Sequence, residues 1–388
     1  MTAGEVRAGP PHPGPPAPTF AIFAGGGTGG HLLPGLAVAA ALVARGHTAS
    51  SIHFVGSDTG VESRLVPAAG FTVDELPGRG IQRRLTLASL AAAVGIVRGI
   101  GRALRIVTQR QPRVVVALGG YASVAIGLAA TVRRVPIVVL EQNARAGAAN
   151  RLLARRAAAA AVSFPGTDLP RAVVTGNPLR HDIRAAAEQR DRAAAAAALD
   201  LPADRTIVAV FSGSLGSRRI NEAMRGLVER WKDRDDIAVR HVIGRRDYTS
   251  YLAAAPALAP SLDGRGLVYQ VVEYEDRMDL LLSAADAAVT RAGGGVAELA
   301  ALGVPAVLVP LPIATRDHQT ANAKVLVNAG GAIVVPDDEL TTDRLELELA
   351  AILDDPARRS SMSGAMRANA HLDAAERVAA LVEEHARG

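Results

Sequence analysis

The chain has 388 residues, no cysteine and a formal net charge of +5. This length predicts two domains of about 150–200 residues each. The absence of cysteine excludes disulfides and thiolate metal sites. The sequence has no uncharged apolar run of about 18 residues, so no membrane-spanning helix is predicted. The Pro/Gly-rich residues 1–19 lack a signal-peptide pattern and predict a disordered tail, so a cytoplasmic location is expected.

The charge is unevenly distributed. Residues 20–180 contain 18 arginines and six acidic residues, whereas residues 181–388 contain 24 basic and 31 acidic residues. Between Leu76 and Leu140 there are ten arginines and no acid. A basic half is typical of proteins that bind nucleic acid, an acidic membrane or an anionic substrate. No aromatic pattern alternates with the arginines, so a nucleic-acid partner is not predicted.

Short apolar runs alternate with longer helical patterns along the chain, which predicts βα units and parallel sheets. The strands predicted in the first half are 19–24, 51–55, 113–118 and 136–140, with short ones near Ala160 and Val173. An alanine-rich helix is predicted over residues 185–199. Strands are then predicted within residues 205–217, 238–244, 267–274, 287–295, 305–312 and 332–336. Residues 356–386 predict one or two amphipathic helices.

Each half is therefore expected to form its own doubly wound α/β domain, with a hinge near residues 178–200. In such folds ligands bind at the carboxyl ends of the strands, where the strand order reverses. Two domains that meet at these ends would form a cleft.

Five glycines stand within six residues after the first predicted strand. Gly25, Gly27 and Gly30 satisfy the G-x-G-x-x-G dinucleotide pattern, with Asp58 as a late candidate for a ribose contact, so a nicotinamide-dependent oxidoreductase stays an alternative. A phosphate-binding P-loop is disfavoured because His31, not lysine, follows. The loop offers free N–H groups and a helix N-terminus to an anion, although a tight turn alone would also use glycine.

Two similar loops occur in the second half. Residues 213–217 (GSLGS) and 291–295 (RAGGG) each follow a predicted strand and precede a helix, and Glu298 lies about one turn into the second helix. A carboxylate there can accept two hydrogen bonds from a ribose diol while nearby N–H groups hold a phosphate. The alternative is that Glu298 only complements the helix dipole.

Seven motifs occur in a fixed order: GGTGGHLLPGLAVA, ALGGYAS, EQNARAGAANRLLARRA, GNPLR, SGSLGSRRIN, TRAGGGVAELAALGVPAVLVP and DHQTANA. Over about residues 20–335 this set resembles the MurG family of bacterial N-acetylglucosaminyltransferases, in glycosyltransferase family 28. The resemblance implies a GT-B fold, in which two doubly wound Rossmann-like domains face each other across a cleft. An acceptor- and membrane-binding domain would span 20–180 and a UDP-GlcNAc-binding domain 181–367. A C-terminal helix at about 368–388 would pack back on the first domain.

The resemblance also implies an activity without metal or cofactor: the inverting transfer of GlcNAc from UDP-GlcNAc to the C4 hydroxyl of MurNAc in lipid I (undecaprenyl-diphospho-MurNAc-pentapeptide). The product would be lipid II for peptidoglycan synthesis. Another GT-B glycosyltransferase with a lipid or natural-product acceptor is the alternative. The implied location is peripheral, at the cytoplasmic face of the cell membrane, with other cell-wall synthesis proteins as candidate partners.

By motif match, the resemblance assigns substrate contacts to both domains. The loop facing the acceptor diphosphate and donor sugar would comprise Thr28, Gly29 and Gly30. The implied donor contacts are Asn143 for GlcNAc, Arg180, Ser214 for the nucleotide, the backbone at Glu275 for uracil, Gly293, Gly294, Gly295, Val296, Ala297 and Glu298 for phosphate and ribose, and Gln319 for the sugar hydroxyls.

The attacking hydroxyl needs a proton acceptor, and a neutral imidazole suits that task near pH 7. His31 is the candidate base and Glu141 the second choice; a cap on its helix or a phosphate contact is the alternative role for His31. His318, beside Gln319, is a candidate donor contact. The other histidines considered are expected to be structural or surface groups: His47, His53, His181 and His241.

The sequence departs from the family pattern at several points. Leu140 stands where histidine is usual before EQN, and Leu215 replaces a glutamine. The loop before Glu298 is one residue shorter than usual, and the segment before Gln319 differs in sequence from the common family pattern. Three pairs of acidic residues invite a metal interpretation but lack a third ligand nearby, so we expect solvated acids there: Asp235–Asp236, Asp337–Asp338 and Asp354–Asp355.

Residues 84–107 predict a basic amphipathic helix. Arg98, Arg102 and Arg105 share one face, whereas Leu90, Val94, Val97 and Leu104 share another. Together with Arg79, Arg83 and Arg84, this Arg79–Arg105 segment predicts contact with anionic inner-leaflet lipids. The alternative is an ordinary helix whose apolar face packs on the sheet.

Overall fold

The fold consists of two α/β units, each built on a parallel β-sheet, as seen in a computed structural model. The structure describes residues 18–26, 29–58, 60–77, 88–254 and 266–388, with the backbone alone for 88–97 and 254. Nearly all of the tail predicted over residues 1–19 therefore lies outside the described residues.

The first sheet has seven parallel strands in the order β3-β2-β1-β4-β5-β6-β7. The strands are β1 (Ala21–Gly25), β2 (Ile52–Ser57), β3 (Thr72–Leu76), β4 (Val114–Gly119), β5 (Ile137–Glu141), β6 (Ala159–Val162) and β7 (Ala172–Val174). The helices are α1 (Gly29–Ala44), α2 (Glu62–Ala68), α3 (Ala88–Arg110), α4 (Gly120–Val132) and α5 (Ala148–Ala154). The strand order reverses between β1 and β4, so the loops after these two strands border a crevice.

The second sheet has six parallel strands in the order β10-β9-β8-β11-β12-β13. After α6 (His181–Glu188) and α7 (Arg192–Ala198), the elements are β8 (Thr206–Phe211), α8 (Arg218–Arg230), β9 (Ile237–Val242), α9 (Tyr248–Ala254), β10 (Val268–Val272), α10 (Met278–Ala284), β11 (Ala287–Thr290), α11 (Gly295–Leu302), β12 (Ala306–Leu308), α12 (His318–Asn328), β13 (Ala332–Val334), α13 (Thr342–Leu353), α14 (Pro356–Ala368) and α15 (Ala374–His385). The order reverses between β8 and β11, which places a second crevice at the loops after them.

The strands predicted in the first half are present, but β3 was not predicted. This edge strand reads TVDEL, and Asp74 and Glu75 are only half-buried in it. It therefore lacks the continuous apolar run that marks a strand buried on both faces. Asp74 instead accepts a hydrogen bond from Nε2 of the buried His53, at 2.8 Å.

The prediction of a single helix over residues 185–199 is wrong, because α6 and α7 are separate. Asp191 caps α7, and its Oδ1 accepts a hydrogen bond from the Ala194 N–H at 2.9 Å. The neighbouring Arg190 turns inward and donates to three backbone carbonyls near the ends of α10 and α11, at Ser283, Ala285 and Leu302. The long alanine run hid this break, since alanine favours helix on both sides of it.

The C-terminal helix α15 packs on the first sheet. Val378, Ala379 and Val382 join the apolar core that α1 forms on one face of that sheet. Glu383 accepts hydrogen bonds from Nε of Arg45 at 2.8 Å and from Nε2 of His47 at 3.0 Å. The preceding helix α14 packs on α11, so the chain passes from the second unit back to the first between α14 and α15.

A buried chain of polar side chains supports the loop after β8. The Tyr269 hydroxyl lies 2.7 Å from Nδ1 of His241, and Nε2 of His241 lies 3.1 Å from Oδ1 of Asn221. Asn221 donates through Nδ2 to the Ile243 carbonyl at 3.1 Å. Gly216 approaches this carbonyl so closely that a Cβ would overlap it. The chain of bonds therefore fixes the backbone that Gly216 packs against.

Burial lowers the pKa of His241 to about 3. The unfolded chain takes up a proton below its ordinary pKa of about 6.5 while the folded protein does not. We therefore expect the free energy of unfolding of the second unit to fall by about 1.4 kcal/mol per pH unit from this group, across the window from about pH 6.5 to 3. Urea unfolding at several pH values measures how the free energy of unfolding depends on pH. In His241→Gln this dependence should be smaller than in the wild-type protein by about one proton. Equal slopes for the wild-type protein and His241→Gln would contradict the prediction.

Candidate active site

The loops after β1 and β4 contact each other at the crevice of the first sheet. Gly25 and Gly119 have φ angles of +124° and +105°, in the region that favours glycine. A Cβ on Gly25 would overlap the Gly119 carbonyl oxygen and Oγ of Ser123. That Oγ accepts a hydrogen bond from the Gly119 N–H at 2.8 Å and donates to the Ala24 carbonyl. The close approach of the two loops thus requires glycine.

Gly26 is required by a different neighbour. Its φ is +132°, and a Cβ there would overlap the carboxylate of the buried Glu62 at the start of α2. Gly25 and Gly26 thus make room for protein atoms, which is the role that a tight turn alone would give to glycine.

Gly29 is less constrained than Gly25 and Gly26. α1 begins at Gly29, and a Cβ on Gly29 would touch only the end of Leu33, at 3.6 Å. Gly29 and Gly30 contribute N–H groups to the N-terminus of α1, where an anion is favoured. The predicted contact Thr28 lies outside the described residues.

His31 lies in the first turn of α1, against the loop after β4. Its ring is half-buried, and its Nδ1 lies 3.4 Å from the position that a Cβ on Gly119 would occupy. Nδ1 is 3.0 Å from Oε1 of Gln142, the residue after β5. Within the part of the chain that the structure describes, His31 caps no N–H of α1. Its side chain is therefore engaged from β5 rather than by its own helix.

Glu141, the second candidate base, is used structurally. Its side chain is buried, and Oε1 accepts hydrogen bonds from N and Nδ2 of Asn143 at 3.0 and 3.1 Å. Oε2 accepts from the Gly147 N–H and from Nδ2 of Asn150, both at 3.0 Å. Four hydrogen bonds occupy this carboxylate, so we assign it to holding the loop between β5 and α5 and withdraw it as a base.

Asn322 of α12 joins this loop to the second unit. It is fully buried, and its Oδ1 accepts from the Ala144 N–H at 2.8 Å. Its Nδ2 donates to Oδ1 of Asn143 at 3.2 Å and to the Ala292 carbonyl at 3.1 Å. One side chain thus contacts the β5 loop on one side of the cleft and the β11 loop on the other.

A pair of arginines crosses the cleft beside Asn322. Arg145 donates to the Arg316 carbonyl, and Arg316 donates to the Ala146 carbonyl, both at 2.9 Å. Arg316 and Asp317 have φ angles of +56° and +54°, unusual for residues with side chains. The segment before Gln319 differs in sequence from the family pattern. Contacts with the first unit thus hold its backbone in a strained conformation.

Arg180 and Glu298 face each other where the two units meet. Nε of Arg180 lies 3.4 Å from Oε1 of Glu298, and Nη1 lies 3.1 Å from Oδ2 of Asp182. Burial raises the pKa of Glu298 above its usual range, although Arg180 opposes this. Glu298 lies in the first turn of α11, which begins at Gly295.

The loops after β8 and β9 border the same crevice. Ser214 is exposed in the loop after β8, and its carbonyl accepts a hydrogen bond from the Arg245 N–H at 3.2 Å. The Arg245 guanidinium lies 4.7 Å from the centre of the Tyr274 ring. Leu215, which replaces the family glutamine, is 62% exposed. These groups leave a polar loop edge beside an aromatic face.

The Glu275 side chain is bonded within the protein. Its buried carboxylate accepts from Nε of Arg240 at 2.7 Å and from the Arg277 N–H at 3.0 Å. The side chain therefore fixes the turn before α10, and the contact between the Glu275 backbone and uracil stays a prediction.

Gln319 bridges two loops of the second unit. Its Oε1 accepts from the Leu311 N–H at 2.9 Å, and its Nε2 lies 3.8 Å from the Cβ position of Gly293. His318 is turned toward the Thr315 carbonyl, 2.9 Å from its Nδ1. Gln319 thus keeps an amide N–H near the loop after β11, whereas His318 supports the preceding turn.

One predicted solvated acid is not solvated. Asp337 is largely buried and forms an ion pair with Arg291 at 2.6 Å; Arg291 also donates to Oγ of Ser217 at 2.7 Å. Arg291 thereby ties the β11 loop to the β8 loop. No group of three or more metal-ligating residues that could hold an ion occurs among the residues that the structure describes.

Sequence analysis did not identify two residues of the site, Gln142 and Asn322. Both stand inside motifs that were recognised, EQN and DHQTANA, beside the residues that were singled out. Burial is the property that would have marked these two polar residues as part of the site. The sequence does not reveal burial for a polar residue that follows a strand or lies within a helix.

The two halves of the chain match the two domains of one enzyme family. Residues 21–162 match the glycosyltransferase family 28 N-terminal domain, and residues 207–378 match the family 28 C-terminal domain. The chain belongs to glycosyltransferase family 28. This confirms the family that the seven motifs indicated.

Relatives of this family 28 chain carry one name: UDP-N-acetylglucosamine–N-acetylmuramyl-(pentapeptide) pyrophosphoryl-undecaprenol N-acetylglucosamine transferase. The relative from Clavibacter sepedonicus is 40% identical, over 94% of this chain and 96% of its own length. The relative from Desulforudis audaxviator is 35% identical, over 89% and 93%.

Solved structures agree with the fold. MurG from Acinetobacter baumannii superposes with a TM-score of 0.73 at 28% identity, covering 95% of this chain and 100% of that one. A UDP-GlcNAc 2-epimerase from Neisseria meningitidis, bound to UDP-GlcNAc, gives 0.64 at 12% identity, covering 95% and 100%, and shares the fold alone. The predicted GT-B architecture and the glycosyltransferase class are confirmed, and the oxidoreductase alternative finds no support.

Proposed function

We propose that this chain transfers GlcNAc from UDP-GlcNAc to the C4 hydroxyl of MurNAc in lipid I and thereby forms lipid II. A relative named for GlcNAc transfer to this lipid-linked acceptor is 40% identical over 94% of the chain. The observation that carries the proposal is geometric. Asn322 bonds to Asn143 and to the Ala292 carbonyl, so the loops that would bind acceptor and donor border one cleft.

In the reaction, the C4 oxygen of MurNAc attacks the anomeric carbon of GlcNAc. The bond from that carbon to the β-phosphate oxygen breaks, UDP leaves with the bonding electrons, and the hydroxyl proton passes to His31. Attack from the side opposite the leaving group inverts the anomeric centre. N–H groups at the starts of α1 and α11, together with Arg180, offset the negative charge of the two diphosphates.

The donor would lie along the second unit. Ser214 and the backbone of Glu275 would contact the nucleotide, residues 293–297 the phosphates and Glu298 the ribose diol. Asn143 and Gln319 would read the sugar. The side-chain amides of Asn143 and Gln319 keep hydrogen-bonding capacity beyond their contacts within the protein, since an amide has two N–H groups and two lone pairs.

The decisive experiment is transfer of labelled GlcNAc from UDP-GlcNAc to a short-chain lipid I analogue, with UDP-Glc and UDP-GalNAc as control donors. Transfer from UDP-GlcNAc alone is expected. Folded protein that binds UDP-GlcNAc but transfers nothing to lipid I would contradict the acceptor assignment and favour another acceptor on the same fold.

We expect the KM for UDP-GlcNAc to rise as the pH falls, starting above the usual titration range of glutamate. Burial raises the pKa of Glu298, and protonation removes an acceptor from the ribose contact. Glu298→Gln should raise KM about 10- to 100-fold and abolish this pH dependence, as expected for a lost hydrogen bond to a charged group. Glu188→Gln, an exposed change on α6, is the control. Wild-type pH dependence in Glu298→Gln would contradict the ribose contact.

We also propose that the first unit docks peripherally on anionic lipid at the cytoplasmic face of the membrane. No helix in the described ranges is long and apolar enough to span a membrane. On α3, Arg98, Arg102 and Arg105 are exposed, and so are Ile100 and Leu104. The alternative, in which the apolar face that includes Leu104 packs on the sheet, does not fit this residue, because Ala103, Ile106 and Val107 form the sheet-packing face.

An exposed face that mixes arginine with large apolar side chains favours lipid over plain water. The upstream Arg79, Arg83 and Arg84 lie outside the described residues, as do the side chains of Leu90, Val94 and Val97. Arg102→Ala/Arg105→Ala should weaken flotation with vesicles that contain anionic phospholipid. Arg218→Ala/Arg358→Ala removes the same charge from exposed sites on the second unit. Binding that ignores lipid charge would contradict the proposal.

A further inference from the structure

We infer that Gln142 is a positioning residue that holds His31 in the tautomer with the proton on Nδ1. The two side chains come from different elements, α1 and the end of β5, and their contact is 3.0 Å between Nδ1 of His31 and Oε1 of Gln142. The catalytic meaning of this contact rests on the proposed function, whereas the tautomer itself is a property of the resting protein.

The orientation of the Gln142 amide follows from its second contact. Its Nε2 lies 3.4 Å from the Leu140 carbonyl oxygen, which can only accept a hydrogen bond. Turning the amide over would place two acceptor oxygens together and cost that bond. Oε1 therefore faces His31, and since an amide oxygen only accepts, Nδ1 must carry the proton.

The position of Gln142 is itself fixed from both neighbours. Glu141 makes four hydrogen bonds within its loop, and Asn143 is bonded to Asn322 across the cleft. The Leu140 carbonyl also accepts from Nδ2 of Asn150 at 3.0 Å. Gln142 is 3% exposed, so little water competes for its amide. The acceptor presented to His31 is thus rigid and shielded.

With the proton on Nδ1, Nε2 of His31 is unprotonated and carries a lone pair that can accept a proton. When the acceptor hydroxyl loses its proton, Nε2 takes it and the ring becomes imidazolium with both nitrogens protonated. Oε1 of Gln142 accepts from Nδ1–H before and after the transfer, so nothing needs to rearrange. Because the amide is uncharged, it orients the ring without adding a negative charge that would favour the imidazolium at rest.

The tautomer can be measured without any activity. Nitrogen-15 NMR of histidine-labelled protein at pH 8, with the His31 signals identified by their loss in His31→Ala, should give the shifts of a protonated Nδ1 and an unprotonated Nε2. Gln142→Ala should move His31 toward the other tautomer. A wild-type His31 protonated on Nε2, or shifts unchanged in Gln142→Ala, would overturn the inference even if the protein is an active transferase.

Kinetics then tests the consequence. Gln142→Ala should lower kcat at least about 10-fold, a part of what a general base contributes, with the KM for UDP-GlcNAc within about threefold of wild type. In a His31→Ala background the same change should have no further effect. Ser163→Ala, which removes a 3.1 Å hydrogen bond to the Glu141 carbonyl without touching His31, is the control for loop damage.

The conservative variant Gln142→Glu separates positioning from packing. Its carboxylate still accepts from Nδ1–H, so kcat should exceed that of Gln142→Ala, and the acidic limb of the kcat profile should lie at higher pH because the added charge favours imidazolium. An unchanged profile, or additive effects of Gln142→Ala and His31→Ala, would overturn the inference. A wild-type protein that transfers no GlcNAc would instead refute the proposed function, and the NMR result would still decide the tautomer.

Discussion

His31→Ala is expected to lower kcat about 10²- to 10⁴-fold, the usual contribution of a general base. The ring lies beside the glycine loop after β4 and is held through one nitrogen, which leaves the other for the acceptor hydroxyl. The KM for UDP-GlcNAc should change by less than about threefold, because His31 belongs to the acceptor side of the cleft. Steady-state transfer to a lipid I analogue at saturating donor measures both constants.

A phosphate-binding role for His31 would give a different result. The KM for the acceptor would then rise strongly while kcat at saturation stayed close to wild type. His385→Ala, on α15 and remote from the cleft, is the matched control and should retain full activity. Retained kcat in His31→Ala would remove this residue as the base, and with Glu141 already engaged the proton would have to pass to another group.

Gly25→Ala should lower the free energy of unfolding of the first unit by about 3 kcal/mol or more. Two effects add: φ is +124°, and the new Cβ overlaps the Gly119 carbonyl oxygen and Oγ of Ser123. Both neighbours are fixed, because Ser123 is itself bonded to the Ala24 carbonyl. Urea unfolding of the full chain, followed by circular dichroism, measures the loss.

Gly70→Ala separates strain from overlap. Its φ is +82°, yet nothing lies within 4 Å of the Cβ position, so the substitution should cost only about 1–2 kcal/mol. If Gly25→Ala costs no more than Gly70→Ala, the loops after β1 and β4 are not in the tight contact described above, and the crevice between them is wider.

The sequence determined the architecture to a large extent. Apolar runs separated by helical patterns predicted two parallel sheets, and the strand positions agree to within a few residues. Buried parallel strands leave a strong signal because both faces must be apolar. The edge strand β3 was not predicted, because it is half polar and lacks that signal. The break at Arg190 was not predicted, because it lies inside an alanine run that favours helix throughout.

The sequence also determined which loops form the site, because strand–glycine–helix patterns mark the ends of parallel strands wherever they occur. Motif order indicated the family, and the chain carries both family 28 domains in the expected order. The residue types that line the cleft thus follow from the amino-acid sequence alone.

Only the tertiary structure decided what each of these residues does. Glu141 and His31 were both candidate bases. The Glu141 carboxylate accepts four hydrogen bonds, whereas the His31 imidazole is bonded through Nδ1 alone among the described residues. The roles of Gln142 and Asn322 depend on partners more than 100 residues away, His31 and Asn143 respectively. Hydrogen-bond partnership depends on distance in space, and the chain carries no local signal for it, so roles of this kind emerge only when the two sheets and their loops have packed.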